Sequence, residues 1–510
     1  MRTRQFFIAV LLAWVLTGCA PSGHAPVRQQ TDSERQQSAC RDAFSAAELA
    51  VREAGDMDTE AGRIPGYPHL RVNRFLSSFR DEVHGEGYAF WLKQLQDLAS
   101  KGWRLEIKNL PEPSGEELQR TVQGVLASQA TTIDALQSCS DKLLHSQLED
   151  NGSQDDLKQR ATVADNYETW ERVVGLYPLT AWIFKLGIAQ WHEKTLATYN
   201  LPLNQLPLSG QLIRYEPSPA KELAESTEVS AILANASKNP LKIPLPTAED
   251  RQQLFNTFAP RFEIDVATND DRIGSPELPA DAAPRINTSA PALFQHLSHT
   301  RLGDTILLQL NYTIWFPARP KTSAFDLLGG QLDGITWRVT LLPNGKPWMF
   351  DTIHNCGCYH LFFPTQYAGT ILQKAGFAES YFQPQPALAI DREMKPVLRL
   401  AATTHYVERV YFGPGQSDRV IQYQLNEADT LRSLGLQDGS SRSLFGQDGI
   451  VASTERSERY LFWPMGIPTP GAMRQWGHHA TAFVGRRHFD DARLFENNYV
   501  ILSDVQSESP

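Results

Sequence analysis

The 510-residue chain lacks the short motifs that identify several common enzyme classes. It contains no Gly-x-Ser-x-Gly elbow, no His-Glu-x-x-His sequence, no phosphate-binding loop and no Gly-x-Gly-x-x-Gly dinucleotide fingerprint. The sequence therefore gives no motif evidence for a serine hydrolase of that type, a zincin, a P-loop protein or a Rossmann dehydrogenase. An enzyme without a local motif is not excluded, so the question of catalysis stays open.

Positive charge and long apolar runs are also scarce. The chain has 48 basic and 58 acidic residues, which give a formal net charge of −10. This balance argues against nucleic-acid binding and against adhesion to anionic lipid by charge alone, because both depend on clustered Lys and Arg. After residue 18, no segment approaches eighteen uninterrupted apolar residues. We therefore expect no nucleic-acid partner and no transmembrane helix in the mature chain.

The N-terminus has the organisation of an export signal. Arg2 and Arg4 precede the apolar run Phe6–Val15, which is too short to span a bilayer as part of the mature fold. The run is followed by Leu16-Thr17-Gly18-Cys19, which resembles the lipobox of bacterial lipoproteins. The resemblance implies that residues 1–18 are a signal peptide, that the chain is cut before Cys19, and that Cys19 carries acyl chains such as palmitate.

The same resemblance implies a location. Ala20 rather than Asp follows Cys19, and by the sorting rule of such lipoproteins this favours the outer membrane, facing the periplasm, over the inner membrane. Residues 19–38 comprise the lipidated cysteine and a stretch rich in Pro, Ser and Gln, which is typical of a flexible tether. We expect the membrane to be a partner through the N-terminal lipid. The sequence identifies no protein or envelope partner.

The remainder of the chain divides into three segments. Residues 39–200 have mostly helical periodicity, including an apolar section from Tyr167 to Leu186, and we interpret them as a helical domain. Residues 201–286 are interrupted by many prolines and are typical of a connecting region that could add an edge strand. Residues 287–510 show strand patterns, with a helix predicted over 365–377. The predicted fold class is α+β, with a C-terminal β-rich domain of sandwich or barrel type.

Four cysteines remain after Cys19 is lipidated. Cys40 and Cys139 lie at opposite ends of the first helical section, and disulfides persist outside the cytosol. A bridge between them would close a loop of about 100 residues and contribute about 4 to 5 kcal/mol in the chain-entropy model. We predict this disulfide because Cys356 and Cys358 are already neighbours. Two unpaired buried thiols are the alternative.

The densest cluster of metal-ligating residue types is His354, Cys356, Cys358 and His360. It follows Pro343-Asn344-Gly345-Lys346, which lies between two apolar and β-branched runs and predicts a hairpin. The alternate spacing places all four side chains on one face of a straight strand, but the outer histidines would then be roughly 20 Å apart. The ligands can converge only if the chain bends. Gly357 permits the bend because glycine adopts positive φ at little cost.

Three interpretations of this cluster stay open. Two thiolates and two imidazoles suit Zn(II), while soft thiolates also suit Cu(I), so we predict a transition-metal site that holds Zn or Cu. A strained disulfide between Cys356 and Cys358 is the second interpretation, and packed thiols with hydrogen-bonded histidines are the third. Candidates for a supporting or completing role around the metal are Asp351, His478, His479 and His488.

The predicted function is that of a lipid-anchored envelope protein of unidentified activity whose β-rich domain binds a transition metal. One alternative is a metal-dependent hydrolase of an envelope substrate, in which His354 or His360 leaves a coordination position open for water. The other alternative is a structural envelope protein with a Cys356–Cys358 disulfide and no ligand. A closed four-ligand shell would favour binding, and an open position beside a cleft would favour catalysis.

Overall fold

The structure is a computed structural model that describes residues 31–150, 152–218, 225–279, 283–371, 376–391 and 394–502. The signal peptide, the lipobox and Cys19 lie outside these ranges. None of the helices within the ranges is both long and apolar enough to cross a membrane.

The regular elements follow one another in chain order. The helices are α1 Asp32–Ala54, α2 Arg74–Ser77, α3 Gly85–Asn109, α4 Glu112–Leu126, α5 Thr132–Glu149, α6 Gln154–Arg160, α7 Thr169–Val174, α8 Tyr177–Tyr199, α9 Ser226–Ala236, α10 Ala248–Phe258 and α11 Arg459–Phe462. The strands are β1 Gly62–Ile64, β2 Tyr67–Val72, β3 Gln211–Pro217, β4 Arg261–Val266, β5 Ser275–Glu277, β6 Arg285–Asn287, β7 Ala292–Leu302, β8 Thr305–Arg319, β9 Gly330–Leu341, β10 Pro347–His354, β11 Leu361–Pro364, β12 Ala368–Thr370, β13 Pro396–Leu400, β14 Val407–Phe412, β15 Val420–Glu427, β16 Leu434–Gly435, β17 Ser441–Arg442 and β18 Tyr499–Ile501.

The helical N-terminal part begins earlier than its composition predicts. The side chain of Thr31 accepts a hydrogen bond from the backbone N–H of Glu34, and the Glu34 carboxylate accepts one from the backbone N–H of Thr31. This capping box satisfies free N–H groups at the start of α1. Residues 32–38 therefore belong to α1, although their composition placed them in the tether.

The predicted Cys40–Cys139 disulfide is present and joins α1 to α5. The two Cα atoms are 5.1 Å apart across a sequence separation of 99 residues. Both cysteines are buried in a core that also contains Phe44 and Trp103, whose rings meet edge to face. In the chain-entropy model, a loop of this length contributes about 4 to 5 kcal/mol to stability. The disulfide thus stabilises a bundle whose own core is small.

A ten-stranded sheet forms the C-terminal β-rich part and establishes the α+β class. Its strand order is β11-β10-β9-β8-β7-β15-β3-β4-β13-β14. The sheet curls, because Phe350 on β10 and Phe412 on β14 lie near opposite ends of this order and yet their ring centroids are 6.3 Å apart. Phe382 bridges to Leu361, and the Gln385 side chain hydrogen-bonds both backbone groups of Val410, so residues 382–385 occupy the gap between the two ends.

Two expectations for this half of the chain need correction. Residues 201–286 were expected to connect domains or add an edge strand, but β3 and β4 lie inside the sheet, where Phe262 and Ile264 are fully buried. The prolines there occur between short elements: Pro260, for example, directly precedes β4. The helix predicted over residues 365–377 is absent from its described part, because residues 368–370 form β12, which pairs with β18.

Both faces of the long strand β8 are covered. Leu310, Tyr312 and Ile314 on the inner face are fully buried in the main core, as the alternating pattern predicts. The outer face is also buried, since Asn311 has no exposed surface. Residues 474–499, which include few regular elements, cover this side of the sheet, and the Trp476 ring lies 4.4 Å from that of His296 on β7.

Candidate functional site

The Cys/His cluster lies in the turn that joins β10 to β11. The predicted Asn-Gly hairpin is confirmed, because β9 pairs with β10 antiparallel. Beyond β10 the chain reverses: the backbone N–H of His354 donates to Cys358 O at 3.0 Å, and that of Gly357 donates to His354 O at 2.7 Å. Gly357 has φ 94°, so the bend occurs at the glycine to which the sequence assigned it.

This turn places the two histidines on opposite faces of the hairpin. The register pairs Thr352 with Leu361, which puts His354 across from Tyr359 and leaves His360 on the other face. The His354 ring accordingly packs against Tyr359, at 5.0 Å between centroids. His360 instead pairs with Asp351, with Nε2 2.8 Å from Oδ2. Four ligands around one ion therefore require a different arrangement from the one in this structure.

His354 belongs to a buried group centred on Asp333. The Asp333 carboxylate lies 2.8 Å from His405 Nδ1, 3.2 Å from an Arg456 nitrogen and 3.5 Å from His354 Nδ1. Burial alone would raise the pKa of Asp333, but Arg456 and the two histidines hold it well below its usual value. Burial lowers the pKa of His354 despite this carboxylate. His354 therefore lies at the edge of this group as a buried imidazole whose charged form is disfavoured.

His360 belongs to a second buried group on the opposite face. Arg338 donates to both carboxylate oxygens of Asp351 and also donates to Phe489 O at 2.6 Å. Burial lowers the pKa of His360 to about 3, so the ring is neutral at physiological pH. Asp351 therefore pairs with His360 and not with the nearer residue in sequence, His354. Its role in supporting a metal ligand stays a prediction.

Cys356 and Cys358 remain adjacent and are both free thiols. The backbone N–H of Cys358 lies 3.4 Å from Cys356 Sγ, and Arg474 Nε donates to Cys356 O at 3.1 Å. A hydrogen bond between the two thiols, together with nearby Arg456, lowers the pKa of Cys356, whereas the same bond and burial raise the pKa of Cys358 far above its usual value. Cys356 is thus the thiol more easily converted to a thiolate.

Of the three C-terminal histidines, His479 lies beside the turn, where its Cα is 3.6 Å from the position that a Cβ would take at Gly357, and the other two make contacts elsewhere. His478 Nε2 lies 2.9 Å from Thr59 O, and His488 lies between Asp165 and Asp491. His479 is buried, and burial lowers its pKa to about 3. Among the described residues, no group of three or more His, Cys, Asp or Glu side chains is arranged to hold a metal ion.

A cavity of about 420 Å³ lies against the cysteine turn. Its roof is one side of α8, formed by Phe184, Ile188 and Trp191 at helical spacing. Its floor is the turn over residues 356–360. The remaining wall comes from apolar side chains of a distant segment, which include Leu461, Phe462, Ile467 and Phe483. The volume falls within the range of roughly 300 to 1,000 Å³ that is typical of small-molecule sites.

The cavity has few polar groups, and burial disfavours the charged forms of its histidine and its carboxylate. His192 and Glu379 lie in its lining, together with Thr481 and the cysteine pair. Burial lowers the pKa of His192 to about 4, so its imidazole is neutral. Burial also raises the pKa of Glu379, although Arg487 opposes the shift. An apolar ligand with one or two hydrogen-bonding groups is the chemical match for such a lining.

The sequence pointed to the turn but missed the cavity and the Asp333 group. His405 is 72 residues from Asp333 in sequence, and the cavity walls come from segments around residues 188, 358, 379 and 467. No local spacing connects these positions. Protein-family models, curated proteins and solved structures give no match to the chain. The inference of function therefore rests on the geometry.

We predict that Gly357→Ala destabilises the protein more than Gly303→Ala does. Both glycines have positive φ, 94° and 59°, which costs an alanine about 1 to 2 kcal/mol. An added Cβ at Gly357 would also lie 2.6 Å from Ala480 O, whereas at Gly303 it meets nothing within 4 Å. Urea denaturation should show a loss at Gly357 that is larger by about 1 to 3 kcal/mol. Equal losses of stability would show that the turn can move away from the added Cβ without a measurable change in the free energy of unfolding.

Proposed function

We propose that the protein is a lipid-anchored envelope protein that binds a mainly apolar small molecule in the cavity beneath α8. The observation that supports this proposal is the cavity itself, whose lining consists mainly of aromatic and aliphatic side chains from α8 and from residues 461–483. A ligand gains affinity there by removing apolar surface from water. Thr481, His192 and Glu379 supply hydrogen-bonding groups that would orient it.

A second cavity of similar volume has a charged lining, and this difference supports the cavity beneath α8 as the ligand site. A cavity of about 410 Å³ between α1 and α3 is lined by Arg63, Arg71 and Glu106. These charges already pair with one another, since Glu106 accepts from both arginines. A ligand there would have to replace satisfied buried ion pairs, which is costly. The cavity beneath α8 makes no such demand on an apolar ligand.

Ile188→Trp should weaken binding of an uncharged naphthylamine fluorophore, because the indole would fill part of the cavity from its roof. Leu186→Trp is the matched control, since Leu186 lies on the same helix but is 70% exposed. We expect fluorescence titration to show at least about tenfold weaker binding for Ile188→Trp and little change for Leu186→Trp. Thermal unfolding of each variant confirms that it is folded. Undiminished binding in a folded Ile188→Trp protein would place the ligand elsewhere.

The anchoring part of the proposal rests on the lipobox resemblance of residues 16–19. Cys19→Ser removes the sulfur that would accept the first acyl group. We expect radiolabelled palmitate to enter the wild-type protein in cells and to be absent from the variant, which should accumulate as an uncleaved precursor. Equal labelling of both proteins would exclude Cys19 as the lipidated residue.

The adjacent thiols support metal binding as a second candidate function. The separation of His354 from His360 leaves Cys356 and Cys358 as the ligands that can still act together, and two soft thiolates favour Cu(I) over Zn(II), which usually takes four protein ligands in structural sites. The hydrolase alternative needs the same metal.

Elemental analysis of protein purified without chelators tests this candidate. We expect a stoichiometric metal that is lost in the Cys356→Ser/Cys358→Ser variant and retained in His478→Ala, which alters a histidine outside the turn. Wild-type protein without metal would end both metal proposals. A mapped Cys356–Cys358 disulfide in that protein would instead favour the structural alternative.

A further inference from the structure

The α7–α8 hairpin exposes an unusual number of large apolar side chains. Eight of them lie between residues 170 and 186 and are 59% to 70% exposed. They are Trp170, Val173, Val174, Leu176, Leu179, Trp182, Ile183 and Leu186. We refer to this set as the α7–α8 apolar face. Such a cluster is far from the scattered single exposures of an ordinary surface and indicates a contact with another apolar surface.

The apolar face has a sharp boundary along α8. Leu179, Trp182, Ile183 and Leu186 follow the spacing of one helical side. The next exposed positions along α8 include Gln190, Glu193 and Lys194, which are polar. The exposed side of α8 is therefore apolar in its N-terminal half and mostly polar in its C-terminal half, where Leu196 is 40% exposed. Such a boundary suits a helix that inserts only its apolar part into another apolar surface.

The apolar face is continuous with the cavity. Ile183 belongs to the exposed face and also lines the cavity, and Leu461 on α11 is 54% exposed and lines it as well. Phe184, the residue next to Ile183, contacts the Phe462 ring at 5.3 Å and faces the cavity. The α7–α8 apolar face and the cavity lining therefore share an apolar border at Ile183.

We infer that the α7–α8 apolar face docks on a lipid bilayer and that the cavity receives an acyl chain of a lipid from it. This inference deepens the proposed function and rests on it for the identity of the cavity as a binding site. A protein partner would account for the exposed face alone, whereas a bilayer accounts for both the face and its connection to the cavity. Trp170 and Trp182 also fit, because indole rings favour the membrane–water interface.

The predicted anchor would keep the face near a bilayer. Eleven residues, 20–30, separate Cys19 from the first described residue, Thr31. Fully extended, they span at most about 40 Å. A body held at this distance meets the membrane repeatedly, so a weak apolar contact is sufficient for docking.

Vesicle sedimentation tests docking without the anchor. The chain from residue 19 with Cys19→Ser retains every described residue and should bind vesicles of phosphatidylethanolamine and phosphatidylglycerol. Leu179→Gln/Trp182→Gln/Leu186→Gln should lower the bound-to-free ratio by at least about tenfold. The control Leu49→Gln/Leu148→Gln/Leu208→Gln changes three exposed leucines outside the face and should leave binding unchanged. Failure of the starting chain to bind vesicles, or equal binding by both triple variants, would overturn docking.

A second measurement tests lipid binding in the cavity independently of docking on vesicles. Ile188→Trp should retain vesicle binding, while mass spectrometry of lipid extracts should show loss of an acyl lipid that copurifies with the starting chain. Retained vesicle binding without any copurifying or transferable lipid would overturn the acyl-chain assignment, and the naphthylamine titration would still decide whether the cavity binds apolar molecules. Light scattering that shows dimers in the starting chain but monomers in the face variant, without vesicle binding, would assign the face to a second copy of the chain.

Discussion

Two buried carboxylates determine how the hairpin that carries the cysteine pair is arranged. Asp333 and Asp351 have no exposed surface, so each charge has to be neutralised inside the protein. Arg456 and His405 neutralise Asp333, whereas Arg338 neutralises Asp351 and the uncharged His360 ring adds a hydrogen bond to it. Loss of one partner from such a pair costs about 3 to 5 kcal/mol. The charge pairs fix the two faces of the hairpin, so the thiols remain at the turn, beside the cavity.

Helix α8 lies on the other side of the cavity from this hairpin. Its inner side packs over the cavity, where the Trp191 ring lies 5.0 Å from Tyr359 of the turn. Its outer side carries part of the α7–α8 apolar face. A helix that is apolar on both sides is normally buried in a core. Here one side meets a cavity and the other meets solvent, so much of its apolar surface is not used for folding and is available for a ligand and a bilayer.

Sequence predictions that depend on neighbouring residues were correct more often than those that depend on contacts between distant elements. Asn344-Gly345 predicted the β9–β10 hairpin because a tight turn is decided by its own residues. The distant Cys40 and Cys139 were paired correctly because few alternatives remained. The apolar section from Tyr167 to Leu186 was correctly read as helical, yet Trp170 and Trp182 are exposed. Periodicity reports which side chains are apolar and not whether another element covers them.

The sequence by itself determined the α+β class, the disulfide, the bend at Gly357 and the resemblance of the N-terminus to a lipobox. All of these depend on short patterns or on the chemistry of individual residues. Only the tertiary structure decided whether the two histidines of the cluster lie on the same face of the hairpin. His354 and His360 differ by an even number of residues, but the strand register Thr352–Leu361 places them on opposite faces. Because a shift of one residue in register exchanges the faces of a strand, the direction of each side chain follows from pairing between strands, which local spacing does not specify.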